Sequence, residues 1–515
     1  MKNNFVYLFI LLALLPVLLL RDYTPGNELR YLSIADEALR NGTFFAFTNQ
    51  GIPYADKPPL YFWLVMLAKG VLGKHAMWLL GLFSLLPAWV IVRTMNRWAG
   101  PEIYKDYQLT ATWMMFSCGL FLGVALFLRP DMLMCMFIIL SLYTFYRMLK
   151  KEGNQRRNTV LFPVYLFLGI LSKGAVALLV PLLSTFIFLL LTKRVRSFGQ
   201  YWGWKTWGIL LGGCALWIGC VYMEGGAGYL NNLFVHQTVD RAVNAFHHKE
   251  AFYYYAVTMW YAMLPWPLLI IGVIVVALYK KQFHSELQKF FLTVLLTTFV
   301  LLSCISSKIE VYLLPAYPFF VYLAVMQLSR FKWNHWLALS VALPALAFCL
   351  SVPALLWLSG QEHTHFLNQG ILYAAAGVLT MAGIQSLRDL YDWKALDKSI
   401  NTLAFGLFCA LFVAGFALPK LNRQWGYAAL CREAVEVAKE SQSPVSAYCA
   451  YEIHRAENMD VFLQKDVCIV TKENLVSGTL RGVVLMFPMR ELDFIRTVVP
   501  ESGIHVVGYY GFVCI

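Results

Sequence analysis

The sequence predicts a polytopic α-helical membrane protein of about thirteen transmembrane helices, with a small C-terminal α/β domain outside the bilayer. Three observations carry that prediction: depletion of charge, apolar runs long enough to span, and basic loops at regular intervals between them. Of the 515 residues, 59% are hydrophobic and 14% charged, with a mean hydropathy of +0.59. Soluble domains carry charge on about a quarter of their residues, and a single core of this size could not hide so much apolar surface. The bilayer is the solvent that fits such a composition. The net charge of +13 is carried by residues lying between apolar runs. It therefore reads as loop charge orienting a membrane protein, with no nucleic-acid partner.

Phe5–Leu20 is an apolar run behind Lys2, followed by Arg21-Asp22-Tyr23 where a signal peptide would have small residues; it reads as a retained first helix. Further spans fall near residues 76–93, 108–128, 132–148, 159–171, 175–192, 206–223, 255–279, 290–305, 311–328, 335–358, 371–386 and 400–418. With the N-terminus in the cytoplasm, the loops after even-numbered spans lie inside, and each is basic. They hold Arg93, Arg97 and Lys105; Lys150, Lys151, Arg156 and Arg157; Lys193, Arg194 and Arg196. Lys280 and Lys281, Arg330 and Lys332, then Arg388, Lys394 and Lys398 follow. This obeys the positive-inside rule. It divides the chain into a membrane domain, 1–419, with outer loops at 21–75 and 224–254, and an extracytoplasmic domain, 420–515.

The first outer loop contains an amphipathic stretch from Glu28 to Arg40, with Leu32, Ala35 and Leu39 at helical spacing. It predicts a helix lying along the membrane surface. In the tail, Tyr427–Lys439 has helical periodicity, Gly482–Phe487 and His505–Tyr510 read as strands, and Glu491–Val498 lies between them. The tail cysteines Cys431, Cys449, Cys468 and Cys514 leave room for one or two disulfides if the tail is outside, with a pairing that spacing does not decide. No internal repeat of the kind common in transporters is visible.

Positive charge on the outer face runs against membrane topology, so each outer cation needs a reason. Arg30, Lys57, Arg129, Lys173, Arg241 and Lys308 sit in compact motifs: NELRY, DKPPLYFW, RPDM, SKG, HQTVDR and SSKIEVYLLP. Together they suit a lipid-linked phosphate at the lipid–water boundary, whereas any one alone reads equally well as a residue reaching to the headgroups. Transfer to a hydroxyl also needs a base, commonly a carboxylate. The outer carboxylates are Asp22, Glu28, Asp56, Asp131, Glu224, Asp240, Glu250 and Glu310, of which Glu28 and Asp56 flank the expected surface helix. Asn27-Glu28 fits two roles: helix cap and first-turn acid, or catalysis. His236, His247 and His248 share the second outer loop, and a divalent cation on His236 and Asp56 is a weakly specific expectation, since no HExxH-type spacing accompanies it. The run Phe252-Tyr253-Tyr254-Tyr255 reads as an interfacial aromatic belt.

In this order the motifs resemble the GT-C glycosyltransferases related to protein O-mannosyltransferases and lipid A aminoarabinose transferases. That family's first outer loop reads D-E-x-R-Y and then E-K-P-P; Asn27-Glu28-Leu29-Arg30-Tyr31 and Asp56-Lys57-Pro58-Pro59 stand in those places. Arg129-Pro130-Asp131 resembles its R-P-D element and Ser172-Lys173-Gly174 its T-K-G element. His236 and Arg241 match a family pair, His248-Lys249-Glu250-Ala251-Phe252 resembles H-x-E-P-F, and Ser307-Lys308 with Tyr312-Leu313-Leu314-Pro315 resembles S-x-x-x-x-Y-x-L-P. The likeness covers roughly residues 1–320 and is specific as an ordered set.

The resemblance implies a GT-C fold in a bacterial inner membrane, and a sugar taken from a polyprenyl-phosphate donor. An envelope lipid, glycan or protein would accept it with inversion, and no cofactor would be required. It places donor-phosphate contacts at Lys57, Arg30, Tyr31, Tyr54, Arg129, Lys173, Arg241 and Lys308, and pocket positions at Asp131 and Tyr312. Asn27 replaces the family's leading acid, so Glu28 with Asp56 is the expected catalytic pair. The rival reading is a transporter or lipid-linked sugar flippase, which would place charges in mid-span and show paired broken helices. Here the charged motifs cluster at the outer ends of spans, which favours the enzyme.

Overall fold

A computed structural model of the chain describes residues 2–234, 249–440, 445–478, 480–499 and 503–515. The chain begins with α1 (Lys2–Leu20), α2 (Glu28–Asn41), a short antiparallel ribbon of β1 (Thr48–Asn49) and β2 (Ile52–Pro53), and α3 (Leu60–Leu72). Next come α4 (Met77–Ala99), α5 (Lys105–Ser117), α6 (Gly119–Leu126), α7 (Pro130–Leu149), α8 (Gln155–Lys173), α9 (Val176–Leu191), α10 (Phe198–Tyr201) and α11 (Trp204–Asn231). Beyond Lys249 the membrane region continues through Tyr254–Ala262, Pro267–Tyr279, Glu286–Cys304, Tyr317–Leu328, His335–Cys349, Ser351–Ser359, Gly370–Tyr391 and Leu396–Gly415. Several starts are written in the sequence. Asn154, Ser285 and Asn334 each accept a backbone N–H of the first turn that follows, and Pro130 opens α7, where its missing N–H costs nothing.

Among the described residues, seven helices are long and apolar enough to cross a membrane, or nine if each bent pair is one span. Val176–Leu191 and Pro267–Tyr279 are apolar but shorter. Burial orders the bundle. The segment Glu310–Leu328 has 94% of its apolar window buried and Trp204–Phe234 only 22%, so the first runs through the centre and the second faces the lipid. Three expected single spans are broken: α5 and α6 bend by 63° at Cys118, His335–Cys349 and Ser351–Ser359 bend by 44°, and 255–279 is two helices. Helix α3 was not foreseen, because its apolar run lies in a loop read as outer surface.

The tail, from Leu418 onward, carries a five-stranded sheet in the order β4-β3-β5-β7-β6. Its strands are β3 (Ala447–Ala450), β4 (Val467–Ile469), β5 (Val483–Pro488), β6 (Ile504–Val507) and β7 (Tyr510–Cys514). β3 pairs parallel with β4 and β5, and β7 pairs antiparallel with β5 and β6. Alternate residues go to opposite faces, as a pleated strand requires. Cys449, Leu485 and Val513 pack with Leu475 and Ile495, whereas Tyr448, Ala450, Val484, Met486 and Phe512 join a cluster that includes Leu29, Leu32, Ile34 and Ala38 of α2. The expected strand His505–Tyr510 straddles the turn at Gly508, where φ is +61°. β3 and β4 are too short to announce themselves.

This second face corrects the reading of α2. The helix forms where the periodicity puts it, but Tyr31 through Ala38 are all buried, polar positions included. It is held between α3 and the tail, not laid on lipid. Ser33 Oγ donates to Asp460 Oδ2 at 3.0 Å. Asp36 pairs with Lys69 Nζ at 2.5 Å and His75 Nε2 at 2.6 Å, while Glu37 accepts from Thr48 Oγ1 and from the backbone N–H groups of Gln50 and Gly51. Burial acts to raise Asp36, but His75 and Lys69 outweigh it and hold the carboxyl below its usual range. For Asp460, burial and then the like charge of Asp36 win over the bond from Ser33, and the carboxyl is pushed up to about 6.

One buried ion pair ties α1, α2 and the α6–α7 connection together. Arg21, just past α1, grips Glu28 at the start of α2 with bonds of 2.7 and 2.8 Å, and donates to Leu126 O at 3.1 Å. Glu28, 1% exposed, also accepts Thr24 N at 2.6 Å and Leu128 N at 2.7 Å. The second of these bonds fixes the α6–α7 connection one residue before Arg129.

Two outcomes are expected. Arg21→Met strands a buried carboxylate and costs on the order of 3–5 kcal/mol, read as a large fall in the thermal midpoint. Adding Glu28→Met recovers part of the loss. A raised carboxyl contributes stability that is full below its unfolded value near 4 and lost as pH rises through about 6. Asp460→Asn is therefore stabilising at pH 7.5 by at most about 3 kcal/mol, and the gain disappears as pH is lowered towards 4.

Candidate active site

The same knot delivers the start of α7 and the end of α8 to a cavity of about 440 Å³ within the bundle. Its wall is mostly aliphatic and aromatic, with Ile170, Leu178, Trp217 and Ile218 among the residues. Polar groups enter from the segment before α3 (Asp56 and Lys57), from the end of α8 (Lys173) and from Ser307 and Tyr312. Lys173 is the last residue of its helix because Gly174 turns the chain with φ +95°, a conformation that a side chain would strain. The adjoining α9 starts two residues later, so Lys173 sits in the elbow between two helices.

Behind Lys173 lies a buried charge cluster. Arg129 precedes the proline that opens α7, so Asp131 falls in the first turn. Asp131, 1% exposed, takes Arg129 Nε at 3.2 Å on one oxygen and Lys173 Nζ on the other. The Lys173 ammonium also lies 4.4 Å from the centre of the Tyr312 ring. Two cations thus share one carboxylate and leave one net positive charge, and Lys57, within electrostatic reach of Asp131, enters the same wall beside the carboxylate of Asp56. At low dielectric that surplus demands an anion.

A second layer comes from α2 and the ribbon. Arg30 donates to Asn27 Oδ1 at 2.8 Å and lies over the Tyr54 ring at 5.5 Å. Tyr31 is buried edge-on against Tyr61 and Phe62, within electrostatic reach of Asp131, Arg129, Arg30 and Asp56. Burial first, then Asp131, pushes its hydroxyl up to about 12, so it stays a donor. Tyr229 of α11 donates to Tyr54 O at 2.7 Å and accepts Phe47 N at 3.1 Å, which fixes the chain just before Asp56.

Of the expected site residues, Asp56, Lys57, Lys173 and Tyr312 line the cavity, with Arg129 and Asp131 directly behind. Glu28 stands apart: its oxygens are occupied by Arg21, Thr24 N and Leu128 N. Asn27 occupies the cap position of α2 but makes no capping bond with its side chain. Lys308, 3% exposed, donates to Glu250 O at 2.8 Å and pins that segment rather than lining the cavity. Arg241 and His236, and with His236 the expected cation site, lie outside the described residues. Among those described, no group of three or more His, Cys, Asp or Glu side chains is placed to hold a metal.

Three further carboxylates have structural partners, and Asp240 lies outside the described residues. Glu224 accepts three backbone N–H groups from Phe44 to Ala46, Asp22 accepts Tyr23 N and Ala428 N, and Glu310 accepts the Tyr261 hydroxyl. Among the described residues, Asp56 is the carboxylate on the cavity wall. Sequence reasoning missed Tyr255. Read as belt, it is fully buried, lines the cavity, and has a hydroxyl without a partner among the described residues. It also missed Arg21, whose charge just outside a first span was itself an available signal.

Residues 56–218 match the family described as Dolichyl-phosphate-mannose-protein mannosyltransferase. An uncharacterized protein of Aquifex aeolicus (strain VF5) is 28% identical over 326 residues, which are 60% of this chain and 61% of that one. Undecaprenyl phosphate-alpha-4-amino-4-deoxy-L-arabinose arabinosyl transferase 1 of Pseudomonas fluorescens (strain Pf0-1) is 23% identical over 436 residues, covering 80% of this chain and 73% of its own length. The corresponding transferase of Yersinia pestis (strain Pestoides F) is 23% identical over 438 residues, with coverage of 82% and 73%. Among solved structures, ArnT from Cupriavidus metallidurans bound to undecaprenyl phosphate superposes with a TM-score of 0.76. That match covers all of this chain and 98% of ArnT at 17% identity; the apo form gives 0.75. The chain thus shares the fold of ArnT over its whole length, and in sequence it is similar to the mannosyltransferase family over residues 56–218 and to the aminoarabinose transferases over most of its length.

Proposed function

We propose that the chain moves a sugar from a polyprenyl-phosphate donor to an envelope acceptor on the extracytoplasmic face of a bacterial inner membrane. The observation that carries this reading is the cavity itself: a mostly apolar chamber with Lys57 and Lys173 at its polar part and a surplus of buried positive charge. Apolar wall suits an isoprenoid tail, and clustered cations suit a phosphate. The relatives named as undecaprenyl phosphate-aminoarabinose transferases point to the same donor class. Thirteen crossings with an inside N-terminus is the arrangement that sets Arg30, Lys57, Arg129, Lys173 and Lys308 on one side, and the tail with them.

In this reading the acceptor oxygen attacks the anomeric carbon from the face opposite the phosphate, and the carbon inverts. Asp56 takes the acceptor proton. Polyprenyl phosphate leaves with the bonding pair; a phosphate monoester has a second pKa near 6, so it needs charge neutralisation more than a proton. Lys57 and Lys173 supply it, with Arg129 and Asp131 holding Lys173 in place, and Tyr31, Arg30 and Tyr54 shaping the entrance. Glu28 is a positioning residue, engaged by Arg21 and the α6–α7 connection. The acceptor is a lipid, a glycan or a protein of the envelope.

The test uses protein in lipid nanodiscs with polyprenyl-phosphate sugars and a crude envelope extract, following release of free polyprenyl phosphate by mass spectrometry. Acceptor-dependent release is expected, and Lys57→Ala weakens donor binding by about 10- to 100-fold, the worth of a hydrogen bond to a charged group. A folded protein that binds the lipid and releases nothing with any donor would instead be a flippase or a silent relative. Asp56→Asn is expected to retain donor binding and lose roughly 10²- to 10⁴-fold in kcat, the range of general-base catalysis. Undiminished turnover would remove Asp56 as the base and assign an acceptor that is already an anion.

A further inference from the structure

Four cysteines in the tail admit three complete pairings, and the sheet singles out one pair. β3 and β4 are parallel neighbours, and their register sets Cys449 beside Cys468. Residues in register on adjacent parallel strands lie on one face of the sheet. Their backbones are about 4.8 Å apart, inside the roughly 4.4–6.8 Å between Cα atoms that a disulfide bridges. The side chains meet: after burial, the nearby Cys468 is what raises the Cys449 thiol, to about 11. All eleven cysteines are free thiols in this structure. Cys449 is buried and Cys468 exposed, so one sulfur is open to an oxidant while the other is shielded in the sheet.

Local stability gives such a bond something to do. β4 has three residues and is hydrogen-bonded on one side only, at the edge of the sheet. It follows directly on the segment that meets the membrane domain. There, Asp460 accepts from Ser33 of α2, and Glu457 O accepts Gln50 Nε2 at 3.1 Å. The weakest strand of the tail therefore supports its contact with the loop that leads to Asp56.

We propose that Cys449 and Cys468 form a disulfide that staples β4 to β3 and secures the face of the tail docked on α2. The Cys468 thiolate attacks an external disulfide, such as oxidised glutathione or a dithiol oxidase, and displaces one thiol. Cys449 then gives up its proton and attacks the Cys468 sulfur, releasing the second thiol. Two protein thiols and one external disulfide become one protein disulfide and two external thiols. Formation in the cell rests on the reading that the tail faces the oxidising side of the membrane; formation in purified protein does not.

The experiment treats the full chain in nanodiscs with oxidised glutathione, alkylates what remains free, digests, and maps cysteine peptides by mass spectrometry. The expected product joins the peptides of Cys449 and Cys468, and raises the thermal midpoint by several degrees over the reduced sample. Cys468→Ser, an exposed and mild change, removes both the cross-link and the rise. Recovery of both cysteines as alkylated thiols, or a bond from Cys449 to Cys431 or Cys514, overturns the pair. A parallel sample quenched with N-ethylmaleimide in intact cells separates the two readings. A bond already present supports pair and location together, while a bond that forms only after purification keeps the pair and rejects the oxidising location.

Discussion

The site depends on a carboxylate that touches no cavity. Glu28 is buried at the meeting point of α1, α2 and the α6–α7 connection, and Arg21 answers its charge with two bonds. Two backbone N–H groups complete the shell, so no lone pair that matters is left unmatched in a low-dielectric setting. Each bond carries a geometric consequence. Thr24 N sets the turn into α2, which brings Arg30 and Tyr31 to the site. Leu128 N sets the approach to Arg129, and from there Pro130 commits the chain to α7 with Asp131 in its first turn. An acid in this sequence position, beside a span end, is thus explained by support as fully as by chemistry.

Electrostatics then does the selecting. Asp131 neutralises one of the two cations it contacts, and the other charge remains, with Lys57 and Asp56 side by side on the same wall. An apolar wall raises the strength of every charge that faces it, so the cavity favours a ligand with one anionic group and a long hydrocarbon body. The tail domain adds a lid of its own kind. It covers the apolar side of α2 and reaches its polar side through Ser33, while Asp36 and Glu37 are answered from within the loop by Lys69, His75, Thr48 and the backbone of Gln50 and Gly51.

Much of this was legible in the sequence because its signals are local or periodic. Apolar runs and basic loops gave the helices and their order; the RPDM and SKG motifs named the buried charge cluster, with Arg129, Asp131 and Lys173 found in contact. What sequence could not supply was partnership across distance. Glu28 and Asp56 looked alike, and only the fold shows that Arg21 and Leu128 N hold Glu28 away from the cavity that Asp56 lines. Lys308 reads in the sequence as a phosphate ligand, and only the fold shows its ammonium bonded to Glu250 O, fifty-eight residues away. The α2 helix had a clear amphipathic period, yet its polar face meets protein because a domain nearly four hundred residues away folds over it, and no local pattern encodes that. The bend at Cys118 escaped for the same reason, since no proline stands near it, whereas the bend after Cys349 had a local signal in Pro353, whose ring clashes with the carbonyl four residues back.

The central claim is that the cavity holds a polyprenyl phosphate with its head at Lys57 and Lys173. A photoreactive polyprenyl phosphate, with a diazirine on the isoprenoid units next to the phosphate, tests it most directly when cross-linked to the protein in nanodiscs and mapped by mass spectrometry. The account predicts label on the cavity wall, in the peptides of Ile170–Leu179 or Cys214–Ile218, competed away by unlabelled lipid. Label confined to the outward face of the bundle, on Gly370–Tyr391 for example, and indifferent to competitor, would contradict it.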